Sequence, residues 1–290
     1  MREASHIGLA LDAYLAYEKP GKERDSARTQ SSAQNLRKVS LWLNSHLGIL
    51  VLLLIWEAAP KLGLLDASFV PSLQDVVAAI GELWRGGDLL RHVSVSLTRV
   101  ALGFLLAVIT ALPLGLLLGG WFYCAEASLS LLLEIFSFIS PFVAFHVLLL
   151  ALGIGEAPKI LMIAWASLWP VFFATVAAVR HVDRTLLKTA RGFSLSRRST
   201  FLKIVLPASE SSIWRALRLS GCHAFIILIA AEMMGASSGL GWMIQSYQEN
   251  YAVRDIYAIA LVIMLLGWSV DLLLRGAAIG FHWIYERSEL

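Results

Sequence analysis

Long apolar runs separated by short charged segments dominate the order of residues in this chain. A bilayer core about 30 Å thick needs roughly 20 mostly apolar residues in helical form, and six stretches satisfy or approach this length. The pattern therefore predicts an all-α polytopic membrane protein with six transmembrane helices. The predicted spans are Leu41–Ala59, Val100–Gly120, Ala127–Leu152, Ile160–Val179, Leu219–Gly235 and Ile256–Leu274.

The composition of the 290 residues agrees with this prediction. The chain is 58% hydrophobic and only 16% charged, whereas soluble domains are about half apolar and about a quarter charged. Its two cysteines, Cys124 and Cys222, lie far apart, which favours small packing residues over a metal site or a disulfide. No cleavable signal peptide is predicted, because the first 38 residues are polar and charged without an apolar core.

Basic residues set the predicted orientation in the membrane. The tail before the first span carries seven Lys or Arg residues, and the segment Arg180–Lys203 carries another seven with one acid, Asp183. The segment Pro60–His92 between the first two spans carries only three basic residues and four acids. Positive residues concentrate in cytoplasmic loops. Both termini and the Arg180–Lys203 segment are therefore predicted to be cytoplasmic.

Two segments outside the spans have amphipathic patterns. Ser72 can cap a helix with Asp75 at the capping-box position, and apolar residues then recur at helical spacing up to Trp84. This helix is predicted to lie at the outer membrane surface. A weaker pattern at Ile7, Leu11, Tyr14 and Leu15 predicts a possible helix in the cytoplasmic tail, residues 1–38.

The basic segment between the fourth and fifth spans has its own local pattern. Asp183 can cap a short helix on which Leu186, Leu187, Ala190 and Phe193 share one side. Pro207 is expected to close the segment, because proline cannot continue the helical hydrogen bonds. Charge alone leaves two interpretations open, a solvated cytoplasmic loop and a helix that lies across the membrane face and docks a partner.

The spacing in this segment resembles a motif of the permease subunits of ABC importers. The motif places Glu-Ala-Ala, Gly, Ile and Leu-Pro in a cytoplasmic loop, and it aligns here without gaps. Matches fall at Ala190, Ile204, Leu206 and Pro207, whereas Lys188, Thr189 and Ser194 depart from it. By this resemblance the loop at about 183–207 couples to an ATPase. The candidate coupling residues are Leu187, Lys188, Ala190, Arg191, Ser194, Leu195, Ile204, Leu206 and Pro207.

Further fragments resemble the nitrate, taurine and bicarbonate type of these permeases. They extend the similarity over about residues 69–279, and the third span departs from it at Phe145-His146-Val147. The fragments are Ser96-Leu97-Thr98-Arg99, Gly103-Phe104, Pro113-Leu114-Gly115, Leu152-Gly153-Ile154-Gly155-Glu156 with Lys159, Ala231-Glu232-Met233 and Gly239-Leu240-Gly241.

The resemblance implies partners as well as a fold. It implies a type I importer core at residues 39–290, paired with an identical or similar permease subunit in the bacterial inner membrane. Two cytoplasmic ATPases would dock on the coupling loops, and an extracytoplasmic binding protein would deliver the solute. This chain lacks the glycine-rich phosphate cradle of ATPases, so ATP and Mg²⁺ are expected in the partner, and this subunit is expected to be neither an enzyme nor a nucleic-acid binder. Membrane lipid is the remaining expected partner.

Polar or aromatic residues inside the spans are candidates for the pathway, because such residues in a membrane commonly face a cavity or a partner. Arg99 is expected near the outer end of its span, where it serves either to attract an anion or to anchor at headgroups. For Glu232 and Asp271, near span ends, an interfacial role is an open alternative. Packing is the alternative for the rest. The pathway candidates are Arg99, His146, Trp165, Trp169, His223 and Glu232.

Gly103, Gly115 and Gly119 lie on one face of the second span and predict a close helix contact.

The function predicted overall is import of a small anion, such as an organosulfonate like taurine, nitrate or bicarbonate. Two alternatives from other classes are a secondary transporter driven by an ion gradient and a membrane scaffold that transports nothing.

Overall fold

The computed structural model describes residues 47–120 and 123–288, and the chain divides into two compact units, residues 1–67 and 68–290. In the first unit, residues 47–61 form a helix, α1, in which Lys61 pairs with Glu57 one turn earlier. A turn follows in which Gly63 has a φ of +73°. The tail at residues 1–38, its predicted helix and the beginning of the first predicted span lie outside the described residues.

The second unit is built of helices and short turns, and its described residues contain no strand. This confirms the predicted all-α fold class. Its elements are α2 (Leu73–Arg85), α3 (Asp88–Gly120), α4 (Tyr123–Ser137), α5 (Pro141–Leu152), α6 (Glu156–Arg180), α7 (Arg184–Gly192), α8 (Arg197–Thr200), a π-helical turn (Phe201–Val205), α9 (Leu206–Gly235), α10 (Leu240–Glu249) and α11 (Val253–Ser288).

Four helical stretches in the described residues are long and apolar enough to cross a membrane. They are Asp88–Gly120, Glu156–Arg180, Arg197–Gly235 and Val253–Gly280, and they contain the second, fourth, fifth and sixth predicted spans. The third predicted span is different, because α4 and α5 meet at an angle of 84° instead of forming one continuous helix. This pair is either a broken span or a re-entrant loop.

The bend between α4 and α5 has a local cause. Pro141 occupies the first turn of α5, where its missing N–H costs nothing. The residue before a proline avoids the helical region, and Ser140 accordingly has φ −58° and ψ 132°. The apolar run continues through this point, which is why hydropathy alone predicted one span.

Helices α3 and α6 approach closely because of the glycines predicted to form a contact face. A Cβ atom added at Gly103 would lie 2.7 Å from Cβ of Ile163, and one at Gly115 would lie 2.8 Å from Cβ of Thr175. At Gly119 the nearest atom of Val179 would be 3.2 Å away. The small-residue face on the second span is therefore confirmed, and its partner is α6.

The apolar core lies where α3, α5, α6 and α9 meet. One cluster surrounds Phe145, Met162 and Leu228, and a second surrounds Val171 and Phe172. A buried polar contact joins α6 to α9 between these helices, because Ser220 Oγ donates to the backbone oxygen of Ser167 at 2.7 Å.

Helix α2 begins as predicted. The backbone N–H of Asp75 donates to Ser72 Oγ at 3.2 Å, and the Ser72 hydroxyl donates to the Asp75 carboxylate at 2.6 Å. Val76 is fully buried, but Val77 and Trp84, which the apolar pattern placed on the same face, are more than half exposed. Only one edge of the predicted apolar face is therefore used inside this chain.

Candidate functional site

Helix α7 packs on the chain at the end of α6 and on the π-helical turn that precedes α9. Asp183 caps it as predicted, because the backbone N–H of Thr185 donates to its carboxylate at 2.8 Å and lowers its pKa. Ala190 is 1% exposed. Leu187, one turn earlier, packs on a cluster that we call the α7 seat. The seat comprises Val179 and Val182 after α6, Phe201 and Val205 of the π-helical turn, and Leu116 of α3.

The apolar residues of α7 do not all share one side. Leu187 packs on the seat and Ala190 is buried, but Leu186 is 44% exposed and Phe193, just after the helix, is 76% exposed. The prediction that these four residues form one face is therefore wrong for Leu186 and Phe193. The exposed side of α7 combines these two apolar residues with the exposed basic residues Lys188 and Arg191.

The end of α7 is a Schellman motif centred on Ser194. The N–H of Leu195 donates to the oxygen of Ala190 at 3.1 Å, and the N–H of Ser194 donates to the oxygen of Arg191 at 2.9 Å. This arrangement requires a left-handed residue directly after the cap, which glycine supplies most easily. Ser194 has a φ of +53°. The position where the family motif places glycine is therefore the one where this backbone favours it.

Replacing Ser194 by glycine should stabilise the end of α7 by about 1 kcal/mol, because the left-handed conformation strains a residue with a Cβ atom. Hydrogen exchange of the backbone amides at residues 191–195 measures this change as slower exchange. The control is Ser199→Gly, the same substitution in a helical conformation, which should cost about 0.5–1 kcal/mol. Equal or faster exchange at residues 191–195 in Ser194→Gly would contradict the strain argument.

The chain after α8 continues as one helix through Pro207, which corrects the prediction that this residue closes the segment. The turn at Phe201–Val205 is π-helical, and Pro207 lies in the first turn of α9. A proline is tolerated there because a π turn has already shifted the hydrogen-bond pattern. Ile204 and Leu206 are half-buried within this continuous stretch. Phe201 and Val205 of the seat therefore lie in the same continuous helix as the span α9, Arg197–Gly235.

A buried cluster of charges lies at the other end of the spans. Arg99 is 2% exposed and Glu232 is fully buried. Arg99 Nη1 donates to Glu232 Oε1 at 2.8 Å, and Arg99 Nη2 donates to Glu156 Oε1 at 2.7 Å. Lys159, itself 4% exposed, donates to the same Glu156 oxygen at 2.8 Å. The Arg99 and Glu232 side chains are both directed at groups of this chain, and the depth at which they lie in a membrane stays a prediction.

Both carboxylate oxygens of Glu232 accept hydrogen bonds from the surrounding chain. Ser96 Oγ lies 2.7 Å and 2.9 Å from its two oxygens, and the N–H of Gly241 donates to Oε2 at 2.9 Å. Arg99 also donates to the backbone oxygen of Ser238 at 2.6 Å. Such saturation is what keeps a buried ion pair tolerable in a low-dielectric interior.

The turn between α9 and α10 can approach this carboxylate only because it contains glycine. Gly239 has a φ of +116°, and a Cβ atom there would lie 2.3–2.6 Å from the carboxyl group of Glu232. A Cβ atom at Gly241 would lie 2.5 Å from the backbone oxygen of Ile229. Both glycines are therefore required by close packing around Glu232.

Four sequence fragments that are far apart in the chain meet in this cluster. Ser96 and Arg99 come from α3, Glu156 and Lys159 from the first turn of α6, Glu232 from α9, and Ser238 to Gly241 from the following turn. Arg99 and Glu232 were predicted separately as pathway candidates, and their ion pair was not predicted. No role was predicted for Ser238 or for His92, whose Nδ1 accepts from the backbone N–H of Gly239 at 2.9 Å.

The remaining pathway candidates lie apart from the cluster. Trp165 and Trp169 pack edge to face at 5.2 Å, and the indole of Trp165 donates to the backbone oxygen of Ile139 at 3.2 Å. His146 is exposed on α5 with Nδ1 2.8 Å from the oxygen of Phe142, and His223 is exposed on α9. A cleft of about 390 Å³ lies beside Arg99 and the half-exposed Glu156.

Comparison with known proteins identifies the architecture. Residues 100–278 match the family model described as "Binding-protein-dependent transport system inner membrane component". The chain is 30% identical over 239 residues to the putative aliphatic sulfonates transport permease protein SsuC of Bacillus subtilis, covering 82% of this chain and 86% of that protein. It is 28% identical to the taurine transport system permease protein TauC of Escherichia coli, covering 82% and 87%.

The fold matches a solved permease as well. An inward-facing structure of the MetNI methionine ABC transporter superposes with a TM-score of 0.60 at 16% identity, covering 66% of this chain and 95% of that one. That chain has the type I importer architecture, which confirms the predicted fold class. The protein belongs to the family of binding-protein-dependent ABC importer permeases, membrane-integral transport subunits of the sulfonate, taurine and nitrate group.

Proposed function

We propose that this chain forms the translocation pathway of an ATP-driven importer and that α7 receives the motion of a cytoplasmic ATPase. The observation that carries the proposal is the seat of α7. Leu187 packs on a cluster formed by Val179 and Val182 at the end of α6 and by Phe201 and Val205 of the π-helical turn, so we expect a displacement of α7 to be passed to α6 and α9. A solvated loop without a transmitting role would not need its underside buried at Ala190.

The exposed side of α7 has the chemistry of a docking surface. Phe193 and Leu186 offer apolar area, and the exposed Lys188 and Arg191 add positive charge to the same helix. Aromatic and arginine residues provide most of the binding energy at protein interfaces. A groove in the ATPase with an apolar floor and an acidic rim is therefore the surface we expect to bind α7.

The solute is proposed to be a small anion of the organosulfonate, nitrate or bicarbonate type. This rests on relatives named for aliphatic sulfonates, taurine and nitrate import. The working unit is proposed to be two permease subunits with two ATPases and an extracytoplasmic binding protein. The α7 end faces the cytoplasm, as the distribution of basic residues indicates.

Transport in proteoliposomes tests the function. The permease is reconstituted with its ATPase and binding protein, and uptake of labelled taurine, ethanesulfonate, nitrate and bicarbonate is followed with and without ATP. We expect ATP-dependent uptake of one of these anions. Uptake by the permease alone under an ion gradient would establish a secondary transporter instead, and a complex with no uptake of any of them would contradict the proposed solute class.

A variant at Phe193 separates docking from transport. Phe193→Asp should weaken ATPase binding at least about thirtyfold, the effect of losing an interface hot spot of about 2 kcal/mol. The free energy of unfolding of the permease should not change in this variant, because the Phe193 side chain is 76% exposed. Affinity is measured by binding of the purified ATPase to the permease in nanodiscs. Phe193→Tyr keeps the aromatic ring and is the matched control. Unchanged binding by Phe193→Asp would place the docking surface elsewhere.

A further inference from the structure

A second set of charges lies between α9 and α11, away from the cluster that contains Arg99 and Glu232. Arg218 of α9 donates through Nε and Nη2 to the carboxylate of Asp271 on α11, the Nη2 contact being 3.3 Å. Arg275, one turn further along α11, places Nη2 2.7 Å from the same carboxylate. Two guanidinium groups thus share one acid, and the group keeps a net charge of +1.

This cluster still has donors to offer a ligand. The side chains of Arg218 and Arg275 are 42% and 50% exposed, whereas that of Asp271 is 13% exposed. A guanidinium has five N–H donors, and in the described part of the chain Arg275 directs only one nitrogen at Asp271. Arg215 adds a third exposed guanidinium one turn away on α9, where it donates to Ser212 Oγ at 2.8 Å.

The depth of the cluster matches the headgroup layer. Arg254 begins the same helix α11 at the other end, and at 1.5 Å per residue it lies about 31 Å from Arg275. The hydrocarbon core of a bilayer is about 30 Å thick, so the two arginines fall at opposite interfaces. Leu219 and Leu273 beside the cluster are 69% and 73% exposed, as expected for residues in contact with acyl chains.

Room for a ligand lies directly beside Arg275. A Cβ atom added at Gly276 would meet no heavy atom within 4 Å. Trp268, one turn before Asp271, is 61% exposed, and tryptophan is enriched where chains cross the membrane interface. The site therefore combines convergent guanidinium groups, open space and flanking apolar side chains.

We propose that Arg218 and Arg275, with Arg215, bind the phosphodiester headgroup of an anionic phospholipid whose acyl chains lie along the exposed leucines. Arginine suits phosphate oxygens because its planar fork can donate two parallel hydrogen bonds. Asp271 positions both guanidinium groups, and its negative charge repels a free anion that would otherwise compete with the lipid headgroup. The bound lipid would bridge α11 to α9, whose continuous helix also contributes to the seat of α7.

Native mass spectrometry of the full permease released from nanodiscs tests this site. Nanodiscs contain phosphatidylglycerol, phosphatidylcholine, or phosphatidylcholine with added inorganic phosphate. We expect retained phosphatidylglycerol on the wild type. Arg218→Gln with Arg275→Gln should lower its apparent affinity by at least about fivefold, since each basic residue at an anionic surface contributes about 1 kcal/mol. Arg254→Gln removes a half-exposed arginine paired with Glu82 at the other interface, and should leave retention unchanged.

Four results would overturn the proposal. Equal retention by the double variant would show that lipid binds elsewhere, and equal retention of phosphatidylcholine would show that charge is not recognised. Retention of inorganic phosphate without lipid would identify an anion site. A second copy of the chain as occupant is checked by a disulfide cross-link between subunits carrying Arg275→Cys, and efficient cross-linking would contradict a lipid there. If the double variant does not fold, Arg275→Gln alone is measured.

Discussion

Replacing Arg99 by methionine should lower the free energy of unfolding of the permease by about 3–5 kcal/mol, the cost of breaking a buried ion pair from one side. The substitution keeps an unbranched, apolar stem but leaves Glu232 fully buried with a charge that no cation balances. Ser96 and Gly241 would still donate to it. Hydrogen bonds alone do not offset the removal of a full positive charge at 2.8 Å.

The second substitution that identifies the cause is Glu232→Gln. In the double variant that combines Arg99→Met with Glu232→Gln, no unpaired charge remains buried at position 232. The glutamine oxygen can still accept hydrogen bonds from Ser96 and Gly241. We expect the double variant to recover at least half of the loss, because neutral replacement of a buried pair is often tolerated. The free energy is measured by denaturant titration in mixed micelles, with activity regained on dilution as the check of reversibility.

Arg254→Met is the control for loss of an arginine at the outer end of a span. Arg254 pairs with Glu82, and both side chains are substantially exposed. Exposed pairs contribute about 0.2–1 kcal/mol, so this variant should remain within about 1 kcal/mol of wild type. A double variant as unstable as Arg99→Met would contradict the argument and indicate that the arginine stabilises by packing.

The charged cluster joins α3, α6 and α9 at the ends of the spans opposite α7. Arg99 joins α3 to the start of α6 through Glu156, to α9 through Glu232, and to the next turn through Ser238. Glu156 is the member with more than half of its side chain exposed. Because water can reach its carboxylate, replacing one of its protein hydrogen bonds by water costs little free energy. The contacts of the cluster with α6 are therefore expected to break before those with α9.

The elements that depend on local sequence could be predicted. Asp183 caps α7 and Ser72 caps α2 because a helix start needs only a side-chain oxygen within three residues of it. The spans at α3 and α6 follow from uninterrupted apolar runs. The contact face of Gly103, Gly115 and Gly119 also follows from spacing on one helix, although the identity of its partner helix does not.

The ion pairs could not be predicted, because they depend on which faces of different helices meet. Arg99 and Glu232 are 133 positions apart, and hydropathy counts each as a penalty in its own span. Both residues lie in sequence fragments that resemble the permease family, but this resemblance does not predict that they form an ion pair. The same limitation explains Phe193, because periodicity assigns it to the apolar face of α7 while the helix has already ended one residue earlier.

Substituting Ala190 by glutamate should reduce uptake at least about 100-fold while leaving the chain in the membrane. Ala190 is 1% exposed on the underside of α7, and an unpaired charge there is unfavourable. Relief comes from α7 leaving its seat. If the seated state loses about 3 kcal/mol relative to the unseated state, the equilibrium constant for seating falls by a little more than about 100-fold. Motion of the ATPase then no longer reaches Val179, Phe201 and Val205 of the seat.

Thr185→Glu is the matched control, since it adds the same charge to the same helix. Thr185 is exposed, and its place in the first turn of α7 favours an acid through the helix dipole. We expect uptake within about twofold of wild type for this variant, a change of only about 0.4 kcal/mol. ATP-dependent uptake and ATP hydrolysis are measured together in proteoliposomes. Normal uptake by Ala190→Glu would show that α7 transmits no force through its seat, and equal loss in Thr185→Glu would show that charge at the docking surface, not burial of Ala190, controls transport.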